Sequence, residues 1–234
     1  MTDHPPKPRL TLRVGITGHR PNKLPTSDLP RIERQLREAF ATIEAAVAKA
    51  YDANQAVYAE APSTGAKPYR IHLISGFAEG ADQMAVAACP ADWTVEAILP
   101  FPKDEYLKDF EQSAIGDGRD VRGELIASLA RASVVTELPK PAERNQGYVA
   151  VGKALLDRSD MLIAIWDGEP PQPGGTGEVV REARERGIPV VWLATGGDKP
   201  IALIEAFRDD QPVRANTDWN EQTLQALLDP ILAA

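Results

Sequence analysis

The sequence holds a single cysteine, Cys89, so no internal disulfide can form and a cysteine-based zinc cluster is excluded. The role that remains for it is that of a small buried hydrophobe. Histidine is almost as scarce: His4, His19 and His72 are scattered and show no metal-ligand spacing, so no metal site is expected. No apolar run approaches the roughly 18–20 residues that a membrane helix needs. Residues 1–8 are polar and proline-rich and lack the apolar core of a signal peptide, and the expectation is a cytoplasmic chain without membrane contact. Basic residues are in deficit, with 26 Lys and Arg against 34 Asp and Glu for a net charge of −8. That balance sets the chain against sequence-independent binding of nucleic acid, which depends on clustered cations. A Ser-His-Asp order, a Walker lysine and a nucleophilic cysteine are also lacking.

What is present is enough apolar residue, 43% of 234, to close one sizeable core. Residues 1–9 read as a flexible tail and residues 10–234 as one domain. Strands are expected at residues 10–16, 70–75, 93–99, 133–137, 161–166 and 189–194, where apolar residues alternate or run together and stop at Gly or Pro. Helices are expected at 27–52, 81–88, 103–113, 123–130, 147–158, 177–186, 201–207 and 221–232. The first of these places Ile32, Leu36, Ala39, Phe40, Ile43, Ala46, Val47 and Ala50 on one face, with Ser27 or Asp28 as cap. Alternating strands and helices, several strands being apolar on both faces, predict an α/β fold: a Rossmann-like, mostly parallel doubly wound sheet with helices on both faces. Right-handed crossovers then gather the loops that follow the strands at one sheet edge.

Three glycine-rich loops fall at that edge. Gly15-Ile16-Thr17-Gly18-His19-Arg20 ends the first strand, where backbone N–H groups can approach a phosphate, and Thr17 and Arg20 add a hydroxyl and a bidentate cation. His19 reads either as a ligand contact or as a structural residue. Gly76-Phe77-Ala78-Glu79-Gly80-Ala81-Asp82 repeats the arrangement after the second strand. Glu79 and Asp82 suit either a ribose hydroxyl or the first turn of a helix. Pro173-Gly174-Gly175-Thr176-Gly177-Glu178 opens a helix with several free N–H groups and the Thr176 hydroxyl, and Glu178 is either a catalytic acid or a favourable charge on the helix dipole. Asp167 reads as a ligand contact or a turn former. Arg144 and Asn145 before a helix, and Phe101 after the third strand, suit a phosphate and a stacked base respectively, or ordinary surface and packing roles.

In this order, the loops at Gly15 to Arg20, Ser75 to Asp82, Pro100-Phe101, Arg144-Asn145, Ser159 to Ala164 and Gly174-Gly175-Thr176 resemble the SLOG superfamily of Rossmann-like proteins over about residues 10–194. That superfamily includes the Lonely Guy phosphoribohydrolases, DNA-processing protein A and bacterial proteins thought to sense nucleotide-derived ligands; this sequence is most similar to the last group. The resemblance implies a pocket for a nucleotide-like small molecule, a nucleoside monophosphate or an ADP-ribose-like compound, with no further cofactor. A homo-oligomer is compatible with it, since related folds pair through helices beside the sheet, although no exposed stripe here marks an interface. Aligning the Lonely Guy motif P-G-G-x-G-T-x-x-E on Pro173 puts Glu178 at the threonine and Arg181 at the catalytic glutamate, and the family's arginine-lysine pair falls on Val151 and Gly152. Binding or sensing is therefore the first expectation. A phosphoribohydrolase using Glu178 is the second, and single-stranded DNA binding the third.

Overall fold

The computed structural model describes residues 5–111, 120–170, 173–208 and 211–232. From the N-terminus, strand β1 (Thr11–Gly18) leads through two short 3-10 turns into helix α1 (Leu29–Ala53). Then follow β2 (Arg70–Ser75), α2 (Ala81–Ala88), β3 (Thr94–Leu99), the short α3 (Lys103–Tyr106) and α4 (Lys108–Glu111), α5 (Val121–Leu129), β4 (Ala132–Glu137) and α6 (Arg144–Leu156). The chain continues with β5 (Met161–Trp166), α7 (Thr176–Glu185), β6 (Val190–Ala194), β7 (Ala202–Arg208), β8 (Gln211–Asn216) and α8 (Glu221–Leu232). All eight strands form one sheet in the order β4-β3-β2-β1-β5-β6-β7-β8. The first six run parallel, as expected for a Rossmann-like fold, and β7 and β8 add an antiparallel extension.

Both faces are covered, which is why β5 reads as an unbroken apolar run: all six of its residues are buried. Its side chains alternate between two cores. Met161, Ile163 and Ile165 join the cluster that includes residues of α1, α2, α5 and α8, whereas Leu162, Ala164 and Trp166 join residues of α6 and α7. The 3.6-residue spacing of Ile32, Leu36, Phe40, Ile43 and Val47 buries one face of α1. Asp28 stands at the N-cap of α1, but its side chain makes no capping bond there; it pairs with Arg31 instead. Cys89 is buried, and burial pushes its thiol up to about 12.

Residues 201–207 correct the expectation of a helix, because β7 occupies that stretch and β8 follows it as an unexpected strand. A short, mostly apolar stretch interrupted by Glu205 cannot declare its own period. Here β6 offers a free edge, Leu203 and Ala202 pair with Val191 and Trp192, and Phe207 packs edge-on against Trp166 with ring centroids 4.9 Å apart. The helix expected at 103–113 is broken at Leu107 into α3 and α4, and its last two residues lie outside the described residues. Helix α6 begins three residues earlier than expected, so Arg144 and Asn145 belong to its first turn. Among the described residues no helix is long and apolar enough to cross a membrane, and no cluster of three or more His, Cys, Asp or Glu side chains is arranged to hold a metal ion.

Candidate functional site

The strand order reverses direction between β1 and β5. From β1 the chain moves toward β2 and from β5 toward β6, so their carboxyl ends diverge and leave a crevice, the position where open α/β sheets bind ligands. A cavity of about 460 Å³ occupies it. That volume lies in the range of small-molecule sites.

The end of β1 and the loop after it contribute Thr17, Gly18, His19 and Arg20 to the cavity wall, together with Asn22 and Lys23. Gly15 does not reach it: a Cβ there would lie 2.5 Å from Ser159 Oγ and 2.6 Å from Leu155 Cδ2, so this glycine admits α6. His19 is stitched in place by its backbone, donating to the Ile165 carbonyl at 2.9 Å and accepting from the Ala81 N–H at 3.1 Å. Its Nε2 lies 2.9 Å from Asp167 Oδ2 and 3.2 Å from the Asp167 N–H. Burial lowers the His19 pKa, and the Asp167 carboxylate offsets that only in part.

From the loop after β2, Gly76 and Asp82 line the cavity. Phe77, fully buried with φ 54°, anchors the loop in the core, and Gly80 holds φ +96° where a Cβ would meet the His19 carbonyl oxygen at 2.7 Å. Glu79 is not part of the wall. Asp82 is buried in the first turn of α2; Ser75 Oγ and the Ala78 N–H both donate to its Oδ2, at 3.2 and 3.3 Å. Burial raises its pKa to about 6, against the opposing pull of the Ala78 and Ser75 bonds.

The consequence for stability has a definite sign. In the fold the protonated acid is favoured, so the stabilising contribution is complete below the unfolded value near 3.8 and is lost as pH rises through about 6. Asp82→Asn cannot ionise. Its stability relative to the parent is expected to rise between pH 4 and 7 by up to about 3 kcal/mol, at about 1.4 kcal/mol for each tenfold change in the acid's proton affinity. Urea titrations of both proteins across that window measure it, and a pH-independent difference between them rejects the assignment.

The loop after β5 and the start of α7 supply Asp167, Glu169, Gly174, Gly175, Thr176 and Gly177. The first N–H groups of α7 lack an intrahelical acceptor by helix geometry and lie at the cavity wall. Glu178 is not in the wall. Its carboxylate reaches back to accept the Gly174 N–H at 2.6 Å and closes its own loop. Asn145 does line the cavity; its Nδ2 donates to the Pro173 carbonyl at 3.4 Å, and Gly174, at φ +74°, packs against its Oδ1.

Phe101 and Arg144 lie outside the wall. Phe101 is 1% exposed, wedged against Tyr106 and Tyr148, and Gly147 is a glycine because a Cβ would come within 2.4 Å of its ring. Arg144 stacks over Phe101 at 4.3 Å and bonds to Glu105 and Asp109. Tyr148, Tyr106 and Lys23 line the cavity without having been singled out in the sequence. Tyr148 carried a usable signal, standing three residues after Asn145 on the same helix face. Tyr106 carried none.

No protein-family model matches the chain, and no curated protein sequence matches it. The X-ray structure of TM1055, a Northeast Structural Genomics Consortium target, is similar over 76% of this chain and 72% of that one, at 16% identity and a TM-score of 0.38.

Proposed function

We propose that the chain binds a nucleotide-derived, phosphate-bearing small molecule, a nucleoside monophosphate or an ADP-ribose-like compound, in the crevice between β1 and β5. The observation that carries this reading is the meeting of two glycine loops at one cavity. The N-terminus of α7 with Gly175, Thr176 and Gly177 stands on one side, and Thr17, Arg20 and Lys23 from the loop after β1 on the other. Free N–H groups, two hydroxyls and two cations are the donors that a phosphate takes. The resemblance to SLOG proteins agrees with it.

Binding is favoured over N-glycosidic hydrolysis by the fate of the acid. Glu178 is committed to the Gly174 N–H, and Arg181 stands where the resemblance would require the catalytic glutamate. Single-stranded DNA is disfavoured by the net charge of −8.

A thermal-shift series with AMP, ADP-ribose, NAD and adenosine tests the proposal. A bound ligand at 100 times its dissociation constant adds about 2.7 kcal/mol of stability, so phosphate-bearing probes are expected to raise the melting temperature and adenosine to raise it less. Thr176→Ala, which removes one donor to a charged group, is expected to weaken AMP about tenfold by calorimetry. Absence of any shift with all three phosphate-bearing probes would overturn the reading, and release of free base from AMP would restore the hydrolase.

A further inference from the structure

Arg20 is exposed at the cavity wall, and an exposed arginine ordinarily samples many rotamers. This one is held. Its guanidinium carbon lies 4.9 Å from the ring centroid of Tyr148, which also lines the cavity. The contact with Tyr148 holds the guanidinium in place, and the N–H donors not used by the Tyr148 oxygen are left for an acceptor in the cavity. The ring beneath it is fixed in turn: the Tyr148 hydroxyl donates to Asp109 Oδ2, and the ring packs edge-on to Phe101 with centroids 5.6 Å apart.

Asp109 is itself oriented from its other oxygen. Arg144 Nε donates to Asp109 Oδ1 at 2.9 Å, while Arg144 Nη1 donates to Glu105 Oε1 at 3.1 Å and its Nη2 to the Glu105 carbonyl at 3.2 Å. The same guanidinium caps Phe101 from above. Phe101, Asp109 and Arg144 therefore form one connected layer just behind the wall, with Tyr148 in front of it.

We infer that Tyr148 and Asp109, locked by Arg144, are positioning residues that preset Arg20 as the cavity's phosphate-facing cation. Burial raises the Tyr148 pKa first and the Asp109 carboxylate adds to it, which keeps the phenol protonated as donor. Partial desolvation at the wall works against the Arg20 charge, but the Tyr148 oxygen, with smaller contributions from Tyr106 and Asp109, more than offsets it and raises the Arg20 pKa. A preset cation lowers the ordering cost that a ligand otherwise meets on binding.

The part of this inference that concerns phosphate rests on the proposed function, so the test has two arms. In the first, AMP and adenosine are titrated into the parent, Tyr148→Phe, Arg20→Ala and the double variant. Tyr148→Phe keeps the ring and removes the hydroxyl. It is expected to weaken AMP at least fivefold when Arg20 is present and less than twofold when it is absent, with adenosine unchanged. Equal weakening in both backgrounds, or none, overturns the positioning role.

The second arm needs no ligand. The Arg20 Nε–H signal in ¹H–¹⁵N spectra, assigned by its loss in Arg20→Lys, is expected to shift and to exchange faster in both Tyr148→Phe and Asp109→Asn. An unchanged Arg20 signal in Asp109→Asn overturns the relay. If AMP fails to bind the parent while the Arg20 signal responds, the phosphate reading falls and the positioning of Arg20 stands.

Discussion

Arg31→Ala is expected to cost about 3–5 kcal/mol of folding stability, the range for removing one partner of a buried ion pair. Arg31 is 8% exposed in the first turn of α1, and both of its terminal nitrogens are fully engaged. Nη2 donates to Asp28 Oδ2 at 3.1 Å and to the Ala194 carbonyl at 2.9 Å; Nη1 donates to Gln35 Oε1 at 2.8 Å and to the Lys199 carbonyl at 3.4 Å. Gln35 Nε2 donates to the same Lys199 carbonyl at 2.7 Å, and the Gly196 N–H donates to Asp28 Oδ2 at 2.6 Å. The cluster thus ties the start of α1 to the end of β6 and the loop beyond it. Truncation at Arg31 would strand the Asp28 carboxylate, 7% exposed, with the Gly196 N–H as its remaining donor in the cluster, and would take from the Ala194 carbonyl its Arg31 donor, while the Lys199 carbonyl keeps Gln35. Lysine restores the charge but has one ammonium for four acceptors, so Arg31→Lys is expected to recover only part of the loss. The double variant Asp28→Ala, Arg31→Met removes both charges and is expected to be more stable than Arg31→Ala alone. Urea unfolding midpoints give all three values, and a loss below about 1 kcal/mol for Arg31→Ala, the size of an exposed pair, contradicts a buried one. The site has a stake in this cluster, because residues 19–28 carry the chain from the cavity wall directly into α1.

The alternation of strand and helix was legible because the central parallel strands are buried on both faces: a run such as Met161 to Trp166 fits a strand covered from both sides. The antiparallel hairpin was not, since residues 202–208 carry no period of their own and became a strand through the free edge of β6. A similar limit governs the site. Glycines at strand ends pointed to the right edge of the sheet, but Gly15 and Gly80 serve packing, while Gly76 and Gly174 to Gly177 border the cavity. Nothing local distinguishes these uses, because what a Cβ would strike is decided by elements distant in sequence, such as Ser159 for Gly15. Glu178 and Arg144 are the same case among charged residues. Each has the chemistry for a ligand, yet each found a protein partner first, the Gly174 N–H for one and Glu105 with Asp109 for the other. Tyr148 and Lys23 entered the site through topology, which places α6 and the turn after β1 against the same crevice.

Gly18→Ala is expected to destabilise the fold by about 3 kcal/mol, the upper part of the range for overpacking by a single methyl. Gly18 ends β1 in register with Ile165 of β5, and a Cβ there would lie 2.4 Å from the Ala81 Cβ, 2.8 Å from the Ile165 carbonyl oxygen and 3.0 Å from the Ile165 Cβ. None of these is the far end of a flexible side chain. Ala81 is fixed because its N–H donates to the His19 carbonyl, and the Ile165 carbonyl is fixed because it accepts the His19 N–H. Relief would require β1, β5 and the start of α2 to separate, which breaks the bonds that shape the cavity wall. Gly15→Ala provides the contrast: its clashes are with Ser159 Oγ and Leu155 Cδ2, which can rotate away, so a cost nearer about 1 kcal/mol is expected. Ala81→Gly removes the closest contact and is expected to restore part of the stability of Gly18→Ala, the remainder being the carbonyl clash. Urea titrations of the single and double variants decide it, and an Ala81→Gly change that rescues nothing would show that the close approach of α2 to β1 is not what demands glycine. Because Gly18 also borders the cavity, AMP binding to Gly18→Ala has to be measured at temperatures where the variant is fully folded; affinity lost there reflects a displaced wall and not an unfolded fraction.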